Sequence, residues 1–212
     1  MAYQNRVAPD GEIISTKARG AFMGNRGRLH NSEKRIVRPW AGKAWITCLL
    51  EFKGRHREIM AANSYTELFF LDEATAFSAG HRPCGECRRQ DFLRFKNMWR
   101  AANPRKAIGE SIKTIDAVLH QERIGANRQK RTFQQHLGEL PDGAMFSFSD
   151  RRAYFYMVWQ NQIFEWSSFG YKTPRSADSN AVVNVLTPKS IIRMLSQGYA
   201  RNLNFPALAK SE

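Results

Sequence analysis

The stretch "LFFLDEATAFSAGHRPCGECRR" (68–89) holds, in 22 residues, a β run, a capped helix, a glycine stop and a Cys-x-x-Cys turn. "YTELFFL" (65–71) is apolar and aromatic enough for a strand. Asp72 stands where an N-cap accepts from the first free amides of a helix, "EATAFSA" (73–79) follows, and Gly80 suits the left-handed residue that ends it. Pro83 then suits entry to a second helix, whose start carries Cys84 and Cys87. This order of strand, short helix and thiol turn is the core from which the rest of the chain is read.

Upstream, "KAWITCLLEF" (43–52) alternates: Ala44, Ile46, Cys48, Leu50 and Phe52 on one side, Trp45, Thr47, Leu49 and Glu51 on the other. A strand is expected, with Cys48 on the apolar face as a core residue, and a turn at 53–55 leading into "HREIMA" (56–61). Residues 1–42 are rich in Gly, Arg and Asn, without a sustained period of 2 or 3.6, and read as a loop-rich basic arm. Downstream, Phe92, Phe95 and Trp99 recur at helical spacing in "CRRQDFLRFKNMWRAA" (87–102), and Ile112, Ile115 and Leu119 do so in "GESIKTIDAVLHQERI" (109–124). After a basic, weakly periodic segment, "AMFSF" (144–148), "AYFYMVW" (153–159) and "QIFEW" (162–166) read as an antiparallel meander. "NAVVNVL" (180–186) adds a strand, and "TPKSIIRMLSQGY" (187–199) is a helix with Thr187 as N-cap. Strands, then helices, then strands, then a last helix give an α+β fold.

The 33 Lys and Arg exceed 19 Asp and Glu, for a net charge of +14. A field of that sign attracts polyanions, so nucleic acid is the expected partner. No apolar run reaches the roughly 20 residues that cross a bilayer, and the first residues lack the apolar segment of a secretory signal. A cytoplasmic protein with no membrane partner is expected. Three cysteines make no disulfide framework, and in a reducing compartment Cys-x-x-Cys points to metal or catalysis. A redox pair would want the β-α-β surroundings of a thioredoxin-like domain, which the order of elements lacks. Zinc needs about four N or S ligands. Beyond Cys84 and Cys87 the candidates are Cys48 and His81, with His30 and His56 more remote.

Phe69, Phe70, Ala74, Ala79, Gly80, Arg82, Pro83, Cys84 and Cys87 together resemble the second half of the Ada-type metal-binding module. The resemblance spans about residues 68–89. It implies a β-hairpin and helix unit ending in the Cys-x-x-Cys turn, zinc held by four cysteines, and a place on DNA, where one family cysteine accepts a methyl group from a phosphotriester; related modules are attached to nucleases. This chain departs from the pattern. Only Cys48 precedes the turn, and His81 replaces an aromatic residue, so a four-cysteine site is excluded; what is left is the fold of the module with zinc on Cys84, Cys87, Cys48 and His81, zinc on two cysteines and two histidines, or a turn held by packing without metal. The domain reading is then an arm over 1–42, an Ada-like module with helices over 43–125, and the meander with its C-terminal helix over 126–212, packed as one unit.

Function follows in three forms. The leading one is a nucleic-acid-binding protein of DNA repair, modification or processing, with DNA ahead of RNA and with Arg26, Arg28, Arg82, Arg88, Arg89, Arg151 and Arg152 as phosphate contacts. The second is an enzyme, a nuclease or nucleotide-modifying protein. In it Asp116 and His120, one helical turn apart, serve acid-base chemistry with Glu122 beside them and His30 as a second histidine. The third is a non-catalytic adaptor.

Overall fold

The computed structural model describes residues 2–55, 58–106, 111–149 and 154–203. His56, Arg151 and Arg152 lie outside the described residues. Two six-stranded sheets flank a layer of helices, as the α+β reading expects. The first sheet has the order β2-β1-β5-β3-β4-β6, from β1 (Gln4–Val7), β2 (Ile13–Ser15), β3 (Phe22–Asn25), β4 (Ile46–Cys48), β5 (Leu68–Phe70) and β6 (Arg82–Pro83). The second has the order β11-β10-β9-β8-β12-β7, from β7 (Phe133–His136), β8 (Met145–Phe148), β9 (Tyr156–Trp159), β10 (Gln162–Ser167), β11 (Gly170–Tyr171) and β12 (Val182–Val185). The helices are α1 (Glu73–Ser78), α2 (Arg89–Ala102), α3 (Ile112–Arg123) and α4 (Lys189–Ser196).

Residues 1–42 are not a loose arm. They supply β1, β2 and β3, half of the first sheet. Strands of three and four residues are too short to show a period, and their partners are distant: Gly24 opposes Leu68 and Arg6 opposes Phe69. The segment 56–61 holds no strand among its described residues, and β7 arises where no pattern announces it. Thr187 does not cap α4, whose N-cap is Pro188; its hydroxyl accepts from the Met145 amide at 3.0 Å, tying α4 to β8.

The centre of 68–89 folds for the reasons its residues suggest. The Asp72 carboxylate accepts from the Thr75 amide at 2.7 Å and caps α1. At the other end the Gly80 amide donates to the Phe77 carbonyl and the His81 amide to that of Ala76, a paired closure made possible by φ of +88° at Gly80. Alanine there meets the left-handed penalty of about 1–2 kcal/mol, and its Cβ would stand 2.4 Å from Arg123 Cδ. Gly80→Ala is therefore expected to move the urea midpoint downward at unchanged slope; an unmoved midpoint would contradict this account of the turn.

The α1 helix is the joint of the molecule. Ala76 and Ala79 pack into the first sheet with Leu68 and Phe70, while Ala74 packs against Met145, Met157 and Tyr171 of the second. Phe77 joins Phe95 and Trp99 of α2, Leu119 of α3 and Met194 of α4 in one cluster. The last helix of the chain thus seals the core begun by the first, which integrates the two halves. Tyr171 and the indole of Trp166, which donates to Thr75 Oγ1 at 3.1 Å, belong to this packing.

Candidate metal centre and its surroundings

Parallel pairing of β4 with β6 sets Thr47 against Pro83, and the Cys84 amide donates to the Thr47 carbonyl at 2.8 Å. That register lays Cys48 alongside Cys84. The turn 84–87 then folds back before α2 and returns Cys87 to the same place. The sulfurs of Cys48, Cys84 and Cys87 lie within 4.8 Å of one another. Zinc–sulfur bonds of about 2.3 Å at tetrahedral angles need sulfurs about 3.8 Å apart, so the three fit a zinc ion after a small contraction. All three thiols line one cavity of about 380 Å³.

The cluster also carries charge as a metal site does. A hydrogen bond from the Cys48 thiol, with others from the Glu86 and Cys87 amides, lowers the pKa of Cys84, and the Glu86 amide lies 3.4 Å from its sulfur. Cys48 is pushed up, first by that same bond to Cys84 and then by burial. One thiolate is thereby stabilised by its neighbours, ready for a cation.

Cys48 is buried, as a core residue should be, but on the sheet face that carries the cavity rather than on the face that meets the helices. Trp45 is 2 % exposed and Thr47 is fully buried, whereas Leu50 is 52 % exposed and Ile46 is half-buried beside the cavity. Met23, Asn25 and Phe69 present the same outer face on β3 and β5, since side chains alternate along each strand. The thiols therefore lie on the cavity side of the sheet, Cys48 and Cys84 buried and Cys87 partly exposed, and the aromatic side of the sheet meets the helices.

His81 does not join them. Its Nε2 accepts from Arg26 Nε at 3.1 Å, its ring packs edge-on to Phe70 at 4.6 Å, and it is fully buried. Burial, followed by the charges of Arg26 and Arg123, pushes its pKa well down and keeps it neutral. Sequence proximity to Cys84 was misleading, because the chain alternates sides between the two.

The cavity holds a carboxylate that no motif announces. Glu67 is 5 % exposed; Oε2 accepts from the Met60 amide at 2.8 Å, and Oε1 is buried without a hydrogen-bond partner. It lines the thiol cavity with Tyr65 and Phe69. Its position just before β5, on the side of Phe69, was the available signal.

The proposed acid-base residues are dispersed. Asp116 is gripped by Arg82 through two bonds of 2.7 and 2.8 Å, both groups buried, and so does not orient His120. His120 Nδ1 instead accepts from Arg123 at 3.2 Å, and burial ahead of the nearby Arg123 and Lys43 charges lowers its pKa. Glu122 pairs with Lys106 at 2.5 Å and accepts from the Ser190 amide and hydroxyl, a brace between α3 and α4. His30 is buried, bonded to Thr66 Oγ1 at 2.6 Å and lying 3.2 Å from the Ala61 carbonyl, which anchors a loop.

Of the arginines, Arg82 and Arg88 are internal ties: Arg88 reaches Glu73 at 2.6 Å and Asp91 at 3.0 Å. Arg26 is buried as well. Arg28 and Arg89 are exposed and remain open to phosphate. The chain matches no family model, no curated protein and no solved structure. No helix among the described residues is long and apolar enough to cross a membrane.

Proposed function

We propose that the protein binds nucleic acid, DNA ahead of RNA, and serves DNA repair or processing through a zinc centre held by Cys48, Cys84 and Cys87. The observation that carries this reading is the convergence of three thiols from two separate segments on one cavity. Structural zinc sites close with four protein ligands, whereas sites that act on a bound group keep one position for water or substrate. Among the described residues three thiols meet at the cavity, which suits the second pattern. Zinc held by Cys48, Cys84 and Cys87 would supply a Lewis acid.

The chain's own groups then have distinct tasks. The amides of Glu86 and Cys87 hold Cys84 as thiolate. Leu49, Leu50 and Ile59 give the cavity an apolar rim that excludes water from a bound group. Glu67 brings a carboxylate to the lining of the same cavity, which favours the enzymatic form of this reading over simple binding. Affinity comes from the charge of +14, with exposed Arg28 and Arg89 among the contributors.

Mobility of labelled duplex and single strand tests the binding. About six phosphate contacts would weaken affinity by about 10³ between 50 and 200 mM salt. No retardation of either strand form at low salt and micromolar protein would remove the nucleic-acid reading.

A further inference from the structure

On the other side of the first sheet from the thiols lies a group of three cations, two of them fully buried, that outnumber the carboxylates facing them. Arg26 and Arg123 are 2 % and 1 % exposed. Among the described residues neither has a carboxylate within ion-pair distance, in contrast to the equally buried Arg82 and Arg88. Arg26 donates to His81 and, at 2.9 Å, to the Gly11 carbonyl, and its Nη2 is buried with no partner. Arg123 donates to the carbonyls of Gly80 at 2.6 Å and Lys43 at 2.7 Å, and its Nε is likewise unpartnered. Their guanidinium carbons stand 4.0 and 3.7 Å from the centre of the Trp45 ring. Lys130 completes the group, with its ammonium on the Ser78 carbonyl.

A fully desolvated charge is costly unless an opposite charge or a set of hydrogen bonds compensates it. Carbonyls and an indole face compensate in part. Burial, and then mutual repulsion after the opposing pull of Asp10, lowers Lys130 to about 7; burial lowers Arg26 to about 9 and Arg123 to about 8. The arrangement is incomplete without an anion. A cavity of about 400 Å³ brings Arg26, Arg123 and Lys130 together with Asp10, Trp40 and Trp45. Gly11, at φ of +91°, passes beside the unpaired Arg26 nitrogen, where even a Cβ would come within 3.6 Å of it. Arg128 and Glu12 at the mouth are both exposed and offset each other.

We propose that this cavity is a binding site for a phosphate monoester, with Arg26, Arg123 and Lys130 receiving the phosphate and Trp40 offering a ring face to the group attached to it. A bound phosphate favours the protonated form of Lys130, and the three cations less the inner carboxylate, Asp10, then leave two positive charges, which suit a monoester dianion better than the single charge of a diester. The volume lies within the range of small-ligand pockets and is far too small for a duplex. Trp40 is half-buried, tilted against Trp45 at 5.9 Å, and can stack a base. The ligand is thus a nucleoside monophosphate or the phosphorylated end of a strand. The site shares no side chain with the thiol cavity, so it stands or falls independently of the zinc reading.

Calorimetric titration of the full chain at low ionic strength tests it, with a nucleoside 5′-monophosphate, the matching nucleoside, inorganic phosphate, and oligonucleotides bearing a 5′-phosphate or a 5′-hydroxyl. The expected result is that the monophosphate binds at least about tenfold more tightly than the nucleoside, and that Lys130→Met weakens it by about 10- to 100-fold, the range for one charged hydrogen bond. Preference for the 5′-phosphorylated strand over the free nucleotide identifies the end of a nucleic acid as the source; the reverse identifies a mononucleotide. Lys130→Met alters a half-buried side chain and leaves the Trp45 stack in place, so it is the first variant; Arg26→Lys, checked by circular dichroism, is the second. Equal binding of nucleoside and nucleotide, or a Lys130→Met protein that binds the nucleotide as the wild type does, would overturn the proposal.

Discussion

Cys84→Ser is expected to reduce bound zinc from about one ion per chain to a small fraction of that. The loss is large because Cys84 sits at the middle of the cluster: it bonds to Cys48, shares its turn with Cys87, and is the thiol that its surroundings favour as thiolate. Removing it leaves two sulfurs, and among the described residues no fourth ligand joins them, since His81 is turned to Arg26 on the other side of the sheet. Zinc that binds the folded chain adds its binding free energy to stability, a contribution that reaches about 10–16 kcal/mol in zinc-finger peptides. The contribution here is smaller, because the sheet has its own apolar core. Emission spectrometry on protein purified without chelator gives the stoichiometry, and melting with and without EDTA gives the stability. Wild-type protein should lose melting temperature on chelation and Cys84→Ser should not. Wild-type protein carrying well under one zinc per chain would reduce the cluster to three packed thiols.

Asp116→Ala should destabilise the protein by about 3–5 kcal/mol, the cost of leaving one member of a buried ion pair alone. The two bonds to Arg82 are short and both side chains are almost wholly enclosed, so little water can replace the missing carboxylate. The pair fastens α3 to β6, one residue from the Pro83 that opens the thiol turn, so its loss should also loosen metal retention. Replacing both partners, as in Arg82→Met with Asp116→Leu, should recover most of the stability, because no charge is then stranded. His120→Ala should cost far less, since that ring is only half-buried and accepts one bond from Arg123. Urea denaturation of the four proteins measures this directly. Equal losses for Asp116→Ala and His120→Ala would revive the two as a working pair.

The contrast between these residues shows what kind of information a sequence carries. Asp116 and His120 share a helix face by spacing, and spacing made them a pair; a bidentate arginine from 34 residues away settled the carboxylate instead. Arg82 and Arg88 resembled phosphate contacts because their neighbours in sequence are basic, yet their partners in space are acidic. Arg26, Trp45 and the local hairpin that carries Arg123 and Lys130 are three separate segments, and nothing in the local pattern of any one of them signals the others. Glu67 was equally silent, being one carboxylate just before an apolar run.

The sequence by itself determined what depends on near neighbours: the Asp72 cap, the Gly80 stop, the thiol turn, the amphipathic helices and the meander, all set by backbone conformation and periodicity within a few residues. It also determined that β4 has two unlike faces. Only the tertiary structure decided which face is covered. Alternation is symmetric, and the choice was made by Arg26, His81 and Arg123 packing on Trp45 while the thiol turn ran parallel beside Cys48. The same choice placed thiols on one side of a single sheet and unpaired cations on the other, because desolvation and ion pairing act through space between residues that the chain holds far apart.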